Sequence, residues 1–378
     1  MSIEIKQVTN KKMLKQFIKF GDDLYKDNPY YVPTLFIDEM NTFNRKKNVN
    51  YGFAESVEFL AYKDNKIVGR ISGLINRRYN ELKNVKHLRF NHLDFIDDLE
   101  VSKALFDAIK KWGLEKGMSE FNGPIGITDF DKQGMLTSGY DINGMFITNY
   151  NYDYYPKHME ALGFKVDVDW VEYLIPVPKE DDERLKKIKH LNERSMQRFG
   201  FKLVKPKNKK DLQKWIDPLF KIYNDAFAPL HGVTRLEQDQ IDMYVKNFFG
   251  FINLDYVSIV TDKDDNLIGI GVLAPNMTKA MQKSKGRLFP FGFIHLLKGL
   301  KHPEGLDMFF VAVSPEYQGY GINGIMMIDI IENARKNGIK FAETGPELTG
   351  NEKVQAMWKN FDAKIIRTRR CYIKDIKD

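Results

Sequence analysis

The most informative part of the sequence is an apolar run that leads into a glycine-rich turn and a helix. It reads Asp307-Met308-Phe309-Phe310-Val311-Ala312-Val313-Ser314-Pro315-Glu316-Tyr317-Gln318-Gly319-Tyr320-Gly321-Ile322-Asn323-Gly324. The apolar run predicts a buried strand ending at Pro315, and the glycines predict a turn whose backbone N–H groups converge at a helix start. Such a turn can bind a phosphate group. It is not a Walker loop, because no Gly-Lys-Ser/Thr follows, and it lacks the third glycine of a dinucleotide fingerprint.

An internal repeat organises the chain. Residues 10–14 return as 208–212, residues 63–69 return as 263–269, and residues 117–124 return as 338–346. The order is the same and the offsets are 198, 200 and 221–222 residues, so the sequence predicts two copies of one domain.

Each copy has the same predicted order of elements. A short strand (3–8; 202–204) precedes an amphipathic helix, and two hairpin strands follow (57–62 with 67–74; 256–261 with 267–273). After an insertion come a strand, a helix (101–116; 321–337), a strand (119–122; 340–344), and a last helix and strand. This order predicts an α/β (α+β) fold with two domains, 1–178 and 199–378, joined by a basic linker helix, 179–198. Each domain has a mixed, mostly antiparallel sheet flanked by helices. Residues 276–305 have no counterpart of equal length and are predicted to form a lid or wall.

Composition and charge exclude several classes of protein. With 43% hydrophobic residues the chain can form real cores, and a single cysteine, Cys371, excludes a disulfide scaffold. No apolar run reaches the 18 residues that a membrane span needs, and the charged amino terminus is unlike a signal peptide, so we expect a cytoplasmic protein without a membrane partner. Residues 184–214 hold 12 Lys/Arg against two acids. We favour a solvated helix and linker there over nucleic-acid binding.

The 307–324 segment resembles motif A of the GNAT acyltransferase superfamily, through the strand ending in Val-x-Pro, Gln318 and Gly321. Asn323 stands where that family has Gly or Ala, and Gly324 follows it. With the repeat, the resemblance covers nearly the whole chain and implies a tandem GNAT-like protein with acetyl-CoA (acyl-CoA) as cosubstrate and no metal. It implies that the cosubstrate is bound by the strand and loop residues and by one later asparagine: Val311, Ala312, Val313, Gln318, Gly319, Tyr320, Gly321, Ile322, Asn323, Gly324 and Asn351.

The amino-terminal copy lacks this phosphate loop. Residues 92–101 contain no glycine and carry four carboxylates, which would repel a pyrophosphate. We therefore predict that the first domain does not bind CoA. Asp94, Asp97 and Asp98 could instead bind a divalent metal or cap the following helix, and helix capping is the favoured interpretation.

The candidate catalytic residues lie on the strand before the glycine-rich turn and on the next strand. Asp307 occupies the position where histone-type GNATs carry a base, and strand alternation predicts it on one face with Phe309, Val311 and Val313. Glu343, at the end of the next strand, is the second candidate base. Where the family has a tyrosine that protonates the leaving thiolate, this chain has Trp358, which is no useful acid. Tyr372 is a weaker alternative.

The acceptor and two rival functions stay open at this point. The tyrosine-rich stretch 123–164 could line a substrate pocket or could be core packing. The leading hypothesis is an acyl-CoA-dependent N-acyltransferase that transfers an acetyl group to a small-molecule or peptide amine. The alternatives are a Fem-like tRNA-dependent aminoacyltransferase, favoured by the basic segment, and a non-catalytic CoA-binding module, favoured by Trp358. The sequence indicates neither the acceptor nor the oligomeric state.

Overall fold

A computed structural model describes residues 2–377, with the side chain of Lys353 left aside. The chain forms two compact units. The first contains Met1–Val171, Met277–Leu297 and Ile366–Asp378, and the second contains Glu172–Asn276 and Lys298–Ile365.

The described residues form fourteen strands and thirteen α-helices. The strands are β1 Glu4–Gln7, β2 Ala54–Lys63, β3 Lys66–Asn76, β4 His87–Phe95, β5 Glu120–Gly123, β6 Met135–Ser138, β7 Lys165–Pro176, β8 Lys202–Val204, β9 Val257–Thr261, β10 Leu267–Pro275, β11 Gly305–Val313, β12 Phe341–Thr344, β13 Glu347–Leu348 and β14 Lys364–Asp375. The helices are α1 Lys11–Leu24, α2 Phe36–Thr42, α3 Arg77–Lys83, α4 Leu99–Glu115, α5 Tyr154–Ala161, α6 Glu183–Phe199, α7 Lys209–Gln213, α8 Ile216–Phe227, α9 Gln238–Phe248, α10 Thr278–Ser284, α11 Gly292–Lys301, α12 Ile322–Lys336 and α13 Glu352–Trp358.

The sheets of the two units repeat one another. In the first unit the strand order is β1-β2-β3-β4-β5-β14, and only the pair of β4 with β5 is parallel. In the second unit the order is β8-β9-β10-β11-β12-β7, and only the pair of β11 with β12 is parallel. Each sheet is therefore mixed and mostly antiparallel, as predicted.

The recurring sequence segments have local structural roles. Asn10 and Asn208 cap α1 and α7, each accepting a hydrogen bond from the backbone N–H three residues on, at 3.0 Å. Residues Asp64, Asn65 and Asp265 have positive φ in the hairpin turns, where Asn and Asp are tolerated. Local physics alone specifies these turns and caps, which explains why they recur in the sequence.

The last strand of each sheet comes from the other half of the chain. The strand β7, which follows the first copy, ends in the second unit and pairs with β12. The strand β14, which ends the second copy, pairs with β5 in the first unit. The predicted boundaries at 178 and 199 place β7 in the first domain and β14 in the second, because the residue pattern of a strand does not reveal its partner strand. The predicted linker 179–198 is mostly α6, which lies within the second unit.

The segment predicted to be a lid or wall, 276–305, contains α10 and α11. Residues 277–297 of it pack with the first unit. Its anchor there is α10, where the Gln282 side-chain amide donates to the carbonyls of Pro29 and Tyr31 at 2.9 and 3.2 Å.

Candidate functional site

The glycine-rich turn connects β11 to α12 in the second unit and spans residues 314–321. A short 3₁₀ turn, Pro315–Tyr317, follows the strand. Gly319 and Gly321 then take φ values of +88° and +86°, in the left-handed region that other residues enter at a cost. The two glycines therefore permit the sharp turn into the helix.

The turn is open to solvent. Gln318, Gly319, Tyr320 and Gly321 are all exposed, and an added Cβ at Gly319 would meet no other atom within 4 Å. The first N–H groups of α12 have no acceptor within their own helix, because helix geometry leaves the first turn unpaired. Together with the helix field, this arrangement can bind a phosphate group.

The basic helix α6 supports the turn. The Ser195 hydroxyl donates to the carbonyl of Tyr320 at 2.6 Å. A Cβ on Gly324 would lie 2.6 Å from Oδ1 of Asn192, so the two helices approach closely only because this residue is glycine. Gly324, predicted from the sequence as a phosphate-loop residue, thus also has a packing role.

Five of the twelve basic residues in 184–214 are paired with acids of the same unit. Arg184 contacts Asp182 and Asp362 at 2.7 and 2.9 Å, and Lys202 contacts Asp265 at 2.8 Å. Ion pairs also join Lys189 to Glu332 and Lys205 to Asp329. This pairing supports a structural role for the segment over nucleic-acid binding.

A β-bulge interrupts β11 and changes which side chains share a face. Val272 and Leu273 of β10 pair with Phe310 and Met308, so Phe309 is an extra residue. Met308 and Val311 consequently both pack with the core cluster beneath α12. The prediction that Asp307 shares a face with Val311 is wrong, because the extra residue reverses the alternation between them.

The structure brings the two predicted bases together. Asp307 and Glu343 are direct partners in the parallel pairing of β11 with β12, so their side chains lie on the same face. Asp307 has no exposed surface and Glu343 has 8%. The Asn276 side-chain amide donates to Oδ1 of Asp307 at 2.7 Å.

A third carboxylate, Glu347, was not predicted. It lies in β13, and the indole Nε1 of Trp358 donates to it, 3.0 Å from each carboxylate oxygen. Burial raises the pKa of Glu347 to about 7, although hydrogen bonds from Trp358 and Thr344 partly oppose this. A pKa near 7 suits a group that exchanges protons at neutral pH. No sequence signal distinguished it, because the shift arises from packing.

The other two predicted residues lie in different settings. Asn351 is the residue before α13, where its backbone N–H donates to the Leu348 carbonyl at 2.9 Å and its side chain does not cap the helix. Tyr372 is fully buried in the core of the first unit.

An apolar cavity lies between α12 and the strands of the second unit. It has a volume of about 60 Å³. Val311 and Asn323, both predicted to contact the cosubstrate, line it together with Met308, Met327 and Trp358. The cavity therefore begins at the strand and helix that carry the glycine-rich turn, and its wall is suited to a hydrocarbon chain.

In the first unit, the corresponding connection from β4 to α4 spans only residues 96–98. Asp98 caps α4, accepting from the Glu100 N–H at 3.0 Å, and it also pairs with Lys63 at 2.8 Å. Asp97 contacts Nε2 of His158 at 2.9 Å, and Asp94 pairs with Arg70 at 2.7 Å. Asp98 thus has the predicted capping role. That the first unit does not bind CoA stays a prediction.

The first unit has a polar cavity of its own, with a volume of about 50 Å³. Tyr150 and Tyr155 line it and are also buried in core clusters, so the tyrosine-rich stretch contributes to core packing, and its role in a substrate pocket stays a prediction. Asp22 accepts from the Tyr31 hydroxyl at 2.8 Å, and Lys132 donates to the Thr34 hydroxyl at 2.5 Å.

Charge is concentrated in this polar cavity. Burial raises the pKa of Asp22 and lowers the pKa of Lys132. Burial alone would also raise the pKa of Glu39, but the charge and hydrogen bond of His92 bring it down to about 2.

Among residues 2–377, no helix is long and apolar enough to cross a bilayer.

Comparison with known proteins finds a matching family and two similar sequences. Residues 216–362 match the model of the acetyltransferase (GNAT) family. The chain is 25% identical over 378 residues to protein YghO of Escherichia coli, covering 98% of this chain and 95% of that one. It is 26% identical over 294 residues to a bacterial ceramide synthase of Caulobacter vibrioides, covering 76% and 74%.

The fold is shared with a solved structure of a tandem GNAT protein from the clavulanic acid biosynthesis pathway. The TM-score is 0.57 at 10% identity, and 99% of each chain is covered. The repeated sheets, each with one parallel strand pair, thus agree with the fold of this tandem GNAT protein. Residues 216–362 match the acetyltransferase (GNAT) family, and the whole chain shares the fold of a tandem GNAT protein.

Proposed function

We propose that the protein is an acyl-CoA-dependent N-acyltransferase, in which an amine attacks the thioester directly. The observation that carries this proposal is the exposed turn with left-handed Gly319 and Gly321, which opens α12 beside the apolar cavity. The turn provides a site for the phosphate groups of acyl-CoA, and the cavity beside it provides space for an apolar part of the same molecule.

The donor is bound through the backbone. The N–H groups from Gly319 to Gly324 hold the pyrophosphate, with the Gln318 and Tyr320 side chains beside it and Asn351 toward the pantetheine arm. β11 pairs with β12 only as far as Met308 and Thr344. Beyond that point the strand edge over 311–313 offers an N–H group to the thioester carbonyl, where negative charge develops during attack.

A carboxylate takes the proton of the attacking amine. We propose Glu347 for this role, because its pKa of about 7 leaves a large fraction ionised at neutral pH and its partner Trp358 lines the cavity. Asp307 and Glu343 stay as the alternative bases. The new N–C bond replaces the C–S bond, and the thiolate leaves with a proton from water.

The acyl group is either acetyl, as the resemblance implies, or a longer chain. The wall of the cavity is apolar, which favours contact with a hydrocarbon chain. The relative named as a bacterial ceramide synthase points the same way, since a ceramide is a fatty acid amide. The acceptor for that candidate is a long-chain amine.

Isothermal titration with acetyl-CoA, palmitoyl-CoA and bulk tRNA separates the hypotheses. Binding of an acyl-CoA, with turnover on an amine panel, supports the proposal, and the tighter ligand identifies the chain length. Binding of tRNA alone would support the Fem-like alternative, and acyl-CoA binding without turnover would support the non-catalytic one. Among Asp307→Asn, Glu343→Gln and Glu347→Gln, we expect only Glu347→Gln to remove a pH–rate midpoint near 7. If that midpoint survives in Glu347→Gln, Glu347 is not the base.

A further inference from the structure

The segment from α10 to α11 has an unusual composition. Residues 277–303 contain six Lys/Arg and no Asp or Glu, although the whole chain has 51 acids. All six basic residues are exposed: Lys279, Lys283, Lys285, Arg287, Lys298 and Lys301. The segment is therefore a local concentration of positive charge.

The same segment exposes large apolar side chains. Within nine residues lie Phe289, Phe291, Phe293, Ile294 and Leu297, which are 78%, 69%, 41%, 50% and 61% exposed. None of the residues of α11 is buried. Single exposed apolar residues are ordinary, but five together are not, and they mark a surface that contacts something apolar.

The segment is anchored at its amino-terminal end by buried residues of α10. In α10, Thr278, Ala280, Met281 and Ser284 are buried. The carbonyl of Gly286 accepts from the Phe36 N–H at 2.9 Å. After Arg287 the chain has no buried residue until Gly305. The helix α10 is therefore fixed to the first unit, and the apolar residues that follow it are exposed to solvent.

We propose that residues 283–301, the basic apolar face, bind the surface of an anionic phospholipid bilayer. Phe293, Ile294 and Leu297 lie on one side of α11 and can enter the headgroup region, while the lysines remain at the level of the phosphates. This is the amphipathic, cation-rich pattern of segments that lie on a membrane. Binding of this kind does not require a membrane-spanning helix.

The composition of the basic apolar face argues against a second copy of this chain and against nucleic acid as its binding partner. Two copies of this chain meeting through this face would bring like charges together, which opposes self-association. Single-stranded nucleic acid would use the aromatic rings but not the aliphatic Ile294 and Leu297. An anionic bilayer satisfies both the charged and the apolar residues. The inference does not depend on the proposed function, although a membrane-bound enzyme would have direct access to lipid amines.

Flotation of the full-length protein with vesicles tests this proposal. We expect the protein to float with phosphatidylcholine vesicles in which phosphatidylglycerol replaces a third of the lipid, and not with phosphatidylcholine alone. Raising the salt concentration should weaken binding. The double variant Lys283→Glu/Lys285→Glu should bind at least about 30-fold more weakly, at roughly fivefold for each lysine near the surface.

The apolar residues are tested separately. The triple variant Phe289→Ser/Phe291→Ser/Leu297→Ser should lose about tenfold or more in binding, because the buried apolar area is removed. The matched control Leu82→Ser/Leu114→Ser changes exposed leucines elsewhere in the first unit and should float like the unchanged protein. The proposal is overturned if the unchanged protein does not float, or if the triple variant floats equally well. It is also overturned if the triple variant instead dissociates an oligomer in sedimentation equilibrium, since the face would then be a protein interface.

Discussion

Trp358 donates its indole N–H to Glu347, with Nε1 3.0 Å from each carboxylate oxygen. Trp358 also lines the apolar cavity. An indole cannot protonate a leaving thiolate, but it can hold a carboxylate in place through a hydrogen bond. We infer that the tryptophan, at the position where the family has a tyrosine, positions an acid–base group instead of acting as one.

The raised pKa of Glu347 predicts a pH-dependent stability. Its pKa is about 7 in the folded protein and 4.5 ordinarily, so between these values the unfolded state loses the proton while the folded state keeps it. The free energy of unfolding should therefore fall as pH rises through this window, by up to about 3 kcal/mol. Glu347→Gln should lack this fall in urea unfolding, whereas the exposed control Glu352→Gln should retain it. Equal pH slopes in all three proteins would contradict the assignment.

The two ends of α12 offer a matched test of the phosphate site. Gly321 and Gly338 have φ values of +86° and +71° and both are exposed, so glutamate at either position costs similar strain, about 1–2 kcal/mol. Only Gly321→Glu brings a carboxylate to the predicted pyrophosphate position. We expect it to weaken CoA binding at least about a hundredfold in calorimetry, while Gly338→Glu binds normally. Equal affinities would refute the loop assignment.

The contact between α6 and α12 predicts a compensating pair. Gly324→Ala places a Cβ 2.6 Å from Oδ1 of Asn192 and should destabilise the protein by about 1–3 kcal/mol through overpacking. Asn192→Ala removes the obstructing atoms. The double variant should therefore be more stable than the sum of the two single effects predicts, as measured by a thermal-unfolding double-mutant cycle. Additive effects would show that the two residues do not meet as described.

Filling the apolar cavity should separate long-chain from short-chain donors. Met327 is half-buried on α12 and lines the cavity, so Met327→Trp should occupy part of it. If a long acyl chain binds there, palmitoyl-CoA affinity should fall about tenfold or more, since each buried methylene contributes about 0.8 kcal/mol. Acetyl-CoA affinity in the same variant serves as the control and should not change. A parallel loss of both would indicate general disruption of the site.

The buried ion pair of the first unit predicts a large stability loss. Arg70 pairs with Asp94 at 2.7 Å, with side chains 11% and 8% exposed. Arg70→Met would leave a buried carboxylate without its cation, at a cost of about 3–5 kcal/mol. Arg77 makes a 2.7 Å pair with Glu55 but is 60% exposed, so Arg77→Met should cost no more than about 1 kcal/mol. Similar urea midpoints for the two variants would contradict this ranking.

Local patterns predicted most of the elements. The strand β8 has the predicted bounds, and α12 differs from its predicted range of 321–337 by one residue at each end. The single amphipathic helix predicted after the strand 202–204 forms two helices, α7 and α8, with a break at Lys214 and Trp215. Apolar periodicity is the same on both sides of such a break, so the pattern does not reveal it.

The candidate site was predicted only in part. The glycine-rich turn was recognisable because positive φ requires particular residues close together in the chain. The bulge at Phe309 was not, because a one-residue insertion in a strand depends on how the neighbouring strand pairs with it. Glu347 was missed for a similar reason, since its proton affinity depends on burial by distant residues.

The sequence by itself determined the repeat, the order of elements, the turn before α12 and the basic, acid-free composition of 277–303. All of these depend on residues that are near one another along the chain, where backbone preference and periodicity act directly. Only the tertiary structure decided which half receives β7 and β14, which face of β11 carries Asp307, and which carboxylate has a pKa near 7. Those outcomes depend on packing between residues far apart in sequence, and local preference carries no information about such contacts.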